Sequence, residues 1–161
     1  MNDAGAETGE FRPERIFASL ALHDVGYVAV GGIALLAHGV VRATLDVDLI
    51  PGPEAANLGR LADAIRSLSG VPHGEPETEV TAELLARDAN MRFDTDAGQL
   101  DVLGASQYRR LYPDLDARAI EAAVEGTPVR VVSRNDLIRL KAGSGRDRDL
   151  LDIGDLLALD E

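Results

Sequence analysis

Side chains alternate between apolar and polar in the segment 40–50, and this segment constrains the fold more than any other. The alternating residues are Leu45, Val47 and Leu49 on one side and Thr44, Asp46 and Asp48 on the other. Successive side chains of a β-strand point to opposite faces of a sheet. The segment therefore predicts a strand whose apolar face packs on a core and whose other face carries two carboxylates.

The patterns elsewhere predict a mixed α/β (α+β) domain, a small mixed sheet flanked by helices. Apolar residues at helical spacing predict helices over 12–23, 33–38, 54–68, 136–141 and 147–159, and a partly helical segment over 108–123. Short apolar runs predict strands over 27–30 and 127–132, and a hairpin that pairs 89–95 with 99–103. Residues 69–78 are predicted to be an exposed loop. Residues 1–10 are predicted to be a flexible tail, and residues 11–161 a single domain.

The composition limits the compartment and the possible partners. The 161 residues contain no cysteine, which excludes disulfides and thiol chemistry and, without a recognisable export signal, predicts a cytoplasmic protein. No apolar stretch approaches the roughly 18 residues of a membrane span. A net charge of -12 repels nucleic acid unless basic residues gather locally. Any metal site must use oxygen ligands or one of three histidines, which favours Mg²⁺ or Mn²⁺.

Asp46 and Asp48 are the first candidates for chemistry. Two carboxylates at positions i and i+2 of a strand share a face, about 6–7 Å apart at their bases, and each raises the other's pKa. A divalent cation between them removes this repulsion, as in metal-assisted phosphoryl transfer. Asp101, in an apolar-Asp-apolar setting of the predicted hairpin, is the candidate for a third ligand. Asp94 or Asp96 takes its place if the hairpin register shifts by an odd number of residues.

Gly31-Gly32 lies where the predicted strand over 27–30 gives way to a short helix. Backbone N–H groups at the start of a helix can bind phosphate oxygens, and glycine lets a phosphate approach closely. The pair is therefore a candidate for holding the phosphates of a nucleotide.

The run 28–49 (VAVGGIALLAHGVVRATLDVDL) resembles motif I of the minimal nucleotidyltransferases. It is most similar to the branch that holds AbiEii-like toxins of abortive-infection and type IV toxin–antitoxin systems. The resemblance implies a polymerase beta-like nucleotidyltransferase fold in which Gly31-Gly32 contacts a triphosphate and Asp46 and Asp48 bind Mg²⁺. Arg42 and Thr44 belong to the matching Arg-x-Thr-x-Asp-x-Asp spelling, which implies that they take part in nucleotide binding.

A second similarity lies near the C-terminus. Residues 136–141 and 146–152 resemble the late lysine and the Arg-x-x-Asp helix of the same family. The resemblance implies that Lys141, the one lysine of the chain, approaches nucleotide phosphates and that Arg146 and Asp149 order the site. An i, i+3 salt bridge is the plain alternative for Arg146 and Asp149. His38 is predicted to have a capping or packing role.

Together these residues predict a metal-dependent enzyme that moves a nucleoside monophosphate from a nucleoside triphosphate to an acceptor. Asp46, Asp48, Asp101 and Lys141 are its predicted catalytic residues, and the acceptor is an RNA such as tRNA, a protein or a small molecule. The resemblance adds a toxin role with a cognate antitoxin. One alternative is a non-catalytic nucleotide-binding or protein-interaction module that keeps the fold. Another is an acidic partner protein that mimics nucleic acid.

Overall fold

The computed structural model describes residues 9–159, so most of the predicted tail lies outside the described residues. The helices and strands of the described part are, in chain order, α1 Pro13–Leu22, β1 Tyr27–Val30, α2 Gly31–Ala37, β2 Asp46–Pro51, α3 Ala55–Ser67, β3 Val71–Pro72, α4 Ala82–Leu85, β4 Asn90–Thr95, β5 Gly98–Leu103, α5 Ser106–Arg118, β6 Ile120–Val124, β7 Thr127–Val131, α6 Arg134–Ser144 and α7 Asp147–Ala158. Within residues 9–159, no helix is both long enough and apolar enough to cross a bilayer.

The strands form one sheet in the order β3-β4-β5-β2-β1-β7-β6. Strand β2 runs parallel to β5, and β1 runs parallel to β7, whereas the other neighbouring strands are antiparallel. The predicted mixed sheet flanked by helices, with two helices at its C-terminal end, is therefore confirmed. The central strand β2 carries Asp46 and Asp48, its neighbour β5 carries Asp101, and its other neighbour β1 leads into Gly31-Gly32 at the start of α2.

The core is aliphatic because the chain has few aromatic residues. Val47 and Leu49 lie on one face of β2 and Ile50 lies on the other, and all three are fully buried, as expected for a central strand. Phe17 of α1 stacks on Tyr27 of β1 with ring centroids 6.0 Å apart, which fixes α1 against the sheet.

Most of the predicted elements are confirmed to within a few residues. The strand over 27–30 matches β1, and the predicted hairpin matches β4 and β5 around a shorter turn. Ser133 caps α6, since its side-chain oxygen accepts a hydrogen bond from the backbone N–H of Asp136 at 3.1 Å.

The strand predicted over 40–50 is too long, because β2 begins only at Asp46. Leu45, expected on the core face, is 77% exposed in the loop that joins α2 to β2. The side chain of Thr44 donates a hydrogen bond to the backbone carbonyl of Asp46 at 3.2 Å. A local bond of this kind competes with strand pairing and accounts for the later start.

The segment 108–123 was predicted to be partly helical, but its last residues form strand β6. Its Ile-Glu-Ala-Ala-Val sequence suits a helix, yet Glu125 and Gly126 both have positive φ, as a tight hairpin turn requires. Pairing with β7 therefore overrides the local helical propensity. The strand β3 within the predicted loop 69–78 and the one-turn helix α4 were not predicted. Gly31-Gly32 also forms the first residues of α2 instead of a break before it.

Candidate active site

Three carboxylates converge because β2 and β5 are parallel neighbours. Asp48 of β2 lies directly opposite Asp101 of β5, and Asp46 precedes Asp48 by two residues on the same face. Each of the three carboxylates contributes one oxygen atom to a set whose members lie within 4.8 Å of one another. We call this set the acidic triad: Asp46, Asp48 and Asp101.

The electrostatics of the acidic triad are unfavourable for three negative charges. Burial raises the pKa of Asp48 to about 8, and its hydrogen bond with Asp101 and the charge of Asp46 add to the effect. Burial and the charge of Asp101 likewise raise the pKa of Asp46. A hard divalent cation bound by the oxygens of the triad would relieve this repulsion between the carboxylates.

Gly31 lies against the acidic triad, and a larger residue there would displace the side chain of Asp48. Its φ is +65°, and a Cβ atom at this position would lie 2.1 Å from Oδ2 of Asp48. A Cβ atom on Gly32 would lie 2.5 Å from the hydroxyl oxygen of Thr44. The Gly-Gly pair therefore allows the start of α2 to contact both the triad and the loop that leads to it.

Arg92 is a site residue that the sequence reasoning missed. Its Nε and Nη2 atoms donate hydrogen bonds to the two oxygens of Asp101 at 2.8 and 3.0 Å, and Nη2 lies 3.5 Å from Oδ2 of Asp46. Arg92 pairs with Asp101 across β4 and β5. If the hairpin turn is placed at Asp96-Ala97, the strand register pairs Arg92 with Asp101. A prediction of the exact register would therefore have identified this ion pair.

Lys141 lies on the helical side of the site, among acidic partners. Its Nζ atom donates to Asp152 at 2.9 Å and to Asp149 at 3.2 Å, and its side chain is 10% exposed. Arg42 pairs with Asp152, and Arg146 donates to Asp149 at 2.8 Å, which is the i, i+3 salt bridge named as the alternative. We call these five residues the helix-side network.

The two acids of the helix-side network are stabilised as anions. Burial pushes the pKa of Asp149 up, but hydrogen bonds from Ser144, Arg146 and Lys141 outweigh it and hold the pKa below its usual range. Burial acts on Asp152 in the same way, and hydrogen bonds from Lys141 and Arg42 lower its pKa. The network therefore needs no further cation.

The acidic triad and the helix-side network both line one cavity of about 840 Å³. Every site residue predicted from the sequence lines it: Gly31, Gly32, Arg42, Thr44, Asp46, Asp48, Asp101, Lys141, Arg146 and Asp149. Arg92, Arg148 and Asp152 also line the cavity and were not predicted to be site residues.

Three residues that the sequence left as alternatives or assigned a structural role make contacts outside the candidate active site. They are Asp94, Asp96 and His38. The carboxylate of Asp94 lies 2.9 Å from Nδ1 of His73 and accepts a hydrogen bond from this nitrogen when the nitrogen carries a proton. Asp96 lies in the hairpin turn between β4 and β5. Neither of these aspartates lines the cavity. Nε2 of His38 lies 2.8 Å from the carbonyl oxygen of Val132, which confirms a packing role.

The mixed sheet holds three carboxylates and the glycine start of α2 together at one cavity, and the sequence identifies the class of protein that has this arrangement. Residues 15–160 match the family described as "Nucleotidyltransferase of unknown function (DUF6036)". The chain therefore belongs to this family, and the predicted enzyme class is confirmed. This description does not place the chain in the AbiEii-like branch, which stays a prediction. No curated protein matches the sequence.

Solved structures show the same fold at low sequence identity. ANT(2'')-Ia in complex with adenylyl-2''-tobramycin is 16% identical with a TM-score of 0.61, and the match covers 92% of this chain and 87% of that one. The lincosamide antibiotic adenylyltransferase LnuA, bound to lincomycin, is 15% identical with a TM-score of 0.58, over 92% and 98% of the two chains. An antigenic nucleotidyltransferase-like protein from Paracoccidioides brasiliensis is 20% identical with a TM-score of 0.59, over 91% and 73%. These matches confirm the nucleotidyltransferase fold.

Proposed function

We propose that the protein transfers a nucleoside monophosphate from a nucleoside triphosphate to an acceptor hydroxyl, with Mg²⁺ or Mn²⁺ held by Asp46, Asp48 and Asp101. The convergence of these three carboxylates, with one oxygen atom of each within 4.8 Å of the others, is the observation that carries the proposal. Such an ion, when bound, supplies Lewis-acid polarisation of the phosphate and neutralises its charge. All-oxygen ligation favours these two ions.

The protein's own groups would bind and orient the triphosphate. Gly31 and Gly32 present backbone without side chains at one wall of the cavity, so phosphate oxygens can come close. Lys141, Arg42 and Arg146 supply positive charge at the opposite wall, where three cations face two carboxylates. This arrangement favours a polyanion lying across the cavity.

The proposed reaction is an in-line displacement at the α-phosphorus. The acceptor oxygen forms a bond to this phosphorus, and the bond from the phosphorus to the oxygen bridging to the β-phosphate breaks, releasing pyrophosphate. The proton of the acceptor hydroxyl passes to a base, for which Asp101 is the candidate unless it serves only as a metal ligand. Positioning and charge stabilisation supply most of the acceleration in such reactions.

A small hydroxyl-bearing molecule is the acceptor we favour among small molecules, RNA and protein. The net charge of -12 disfavours a large nucleic acid. Two proteins of the same fold were solved with antibiotic ligands, an adenylylated tobramycin and lincomycin.

Label transfer tests the proposal. Protein, Mg²⁺ or Mn²⁺ and each α-labelled nucleoside triphosphate are incubated with pools of small hydroxyl compounds, RNA or protein, beside Asp46→Asn and Asp48→Asn. We expect label on one acceptor class and a loss of at least about 10²-fold in both variants. Transfer that persists in both variants would contradict the proposal. Metal-dependent nucleotide binding without transfer to any pool would favour the non-catalytic module.

The toxin role is a second candidate, supported by the resemblance of residues 28–49 to AbiEii-like toxins. It places the enzyme in the cytoplasm with a cognate antitoxin. Induced expression in a bacterial host should then arrest growth with the native chain and not with Asp48→Asn. Equal growth of the two cultures would reject this role and leave the transferase proposal standing.

A further inference from the structure

Arg92 is a charged group of the cavity that the proposed reaction does not use. Its guanidinium binds both oxygens of Asp101 and approaches Asp46, so this cation faces the acidic triad in ion-pair contact. With all three aspartates ionised, three negative charges against one positive leave a net charge of −2. A divalent ion could balance that charge fully.

The contact of Arg92 has a geometric part and an electrostatic part. The planar fork donates two nearly parallel hydrogen bonds, which fix the plane of the Asp101 carboxylate in a way that a lysine ammonium cannot. The fixed positive charge also repels a free divalent cation that approaches the same carboxylates. The side chain of Arg92 is 43% exposed and that of Asp46 is 31% exposed, so this part of the triad is open to solvent.

A nucleoside triphosphate changes this balance. Its phosphates carry several negative charges, which offset the repulsion by Arg92 and supply oxygen ligands of their own to the ion. The triad together with a bound triphosphate therefore attracts a divalent ion more strongly than the triad alone does.

We propose that Arg92 is a positioning residue with two effects. It keeps the affinity of the empty site for a free divalent ion low, so that the ion enters with the triphosphate. It also aligns the carboxylate of Asp101 for the reaction. This inference rests on the proposed function, because it assigns the order in which the substrates of that reaction bind.

Binding of Mn²⁺ to the full chain, measured by electron paramagnetic resonance with and without nucleoside triphosphate, tests the inference. Three variants separate the two parts of the contact. Arg92→Met removes charge and fork, Arg92→Lys keeps the charge and removes the fork, and Arg110→Met makes the same charge change at an exposed position of α5 outside the cavity. Arg92→Gln replaces Arg92→Met if circular dichroism shows that the methionine variant is unfolded.

We expect Arg92→Met to bind free Mn²⁺ about tenfold more tightly than the native chain, as loss of a unit charge a few ångströms from a divalent ion implies. Arg92→Lys and Arg110→Met should stay within about threefold of the native affinity. In the transfer assay Arg92→Lys should lower kcat with little change in KM for the nucleotide, whereas Arg110→Met should change neither.

Free Mn²⁺ binding by Arg92→Met that is no tighter than that of the native chain would overturn the inference. So would a native chain that binds free Mn²⁺ as tightly as it binds Mn²⁺ with nucleotide. Failure of the proposed function gives a different result, in which the native chain binds no Mn²⁺ even with nucleotide present.

Discussion

The two walls of the cavity hold similar aspartates in opposite electrostatic states. In the acidic triad, three carboxylates lie at the guanidinium of Arg92, and burial raises the pKa of Asp46 and Asp48. In the helix-side network, two carboxylates face three cations, and hydrogen bonds lower the pKa of Asp149 and Asp152. The difference indicates that the charges of the helix-side network already balance one another, and it supports the proposal that the acidic triad binds a cation.

The two clusters are also expected to have different roles in the protein. The helix-side network joins α6, α7 and the loop before β2 through buried ion pairs, so it is expected to stabilise the fold and present a slightly positive wall. We expect the acidic triad to weaken the fold until a cation binds. Strained or repelling groups of this kind are common where a protein binds its ligand.

A substitution of Lys141 tests most sharply whether the helix-side network stabilises the fold. Lys141→Met leaves Asp149 and Asp152 buried without their shared cation, and we expect a loss of about 3 kcal/mol in the free energy of unfolding. Urea denaturation at neutral pH measures it. The matched control is Arg146→Met, whose side chain is 76% exposed and which should cost less than about 1 kcal/mol. Equal losses in the two variants would contradict the architectural role of Lys141.

Gly31 offers a test on the other wall. Gly31→Ala forces a Cβ atom toward Asp48 in addition to an unfavourable positive φ, and we expect a loss of about 2 kcal/mol together with weakened binding of metal and nucleotide. Gly126→Ala is the control, because its φ is +79° and nothing lies within 4 Å of the added atom. It should lose about 1 kcal/mol and bind normally. Unchanged binding of metal and nucleotide by Gly31→Ala would show that the close contact between residue 31 and Asp48 is not needed for binding.

The pH dependence of stability should come from Asp48. Its pKa is near 3.8 when unfolded and about 8 when folded, so between these values the folded state holds more protons. Stability of the metal-free protein should therefore fall as pH rises, by about 1–2 kcal/mol from pH 6 to 8. Thermal melts across this range measure the slope, which Asp48→Asn or saturating Mg²⁺ should flatten. A metal-free native chain whose stability rises over the same range would contradict the assignment.

Sequence reasoning reached most of the fold because its strongest signals are local. The two faces of the β2 segment, the run over β1 and the Ser133 cap each depend on residues that are near one another in the chain. Strand β6 was not predicted, because its alanines and glutamate favour a helix and it becomes a strand through pairing with β7.

The candidate site was predicted as a set of residues but not as two charge clusters. Asp46, Asp48 and Asp101 follow from alternation along the strands, and all three line the cavity. Arg92 depends on an exact cross-strand register, and the Arg42–Asp152 pair joins residues 110 positions apart. Contacts over such separations leave no periodic signal in a single sequence.

Calorimetric titration with nucleoside triphosphates tests the central claim most directly, namely that the acidic triad is a metal–nucleotide site. The native chain should bind nucleotide in Mg²⁺, and the binding should fall at least about tenfold with a chelator in place of Mg²⁺ or with Asp48→Asn. Arg110→Met should bind as the native chain does. Binding that is equally tight without Mg²⁺, or unchanged in Asp48→Asn, would contradict the claim.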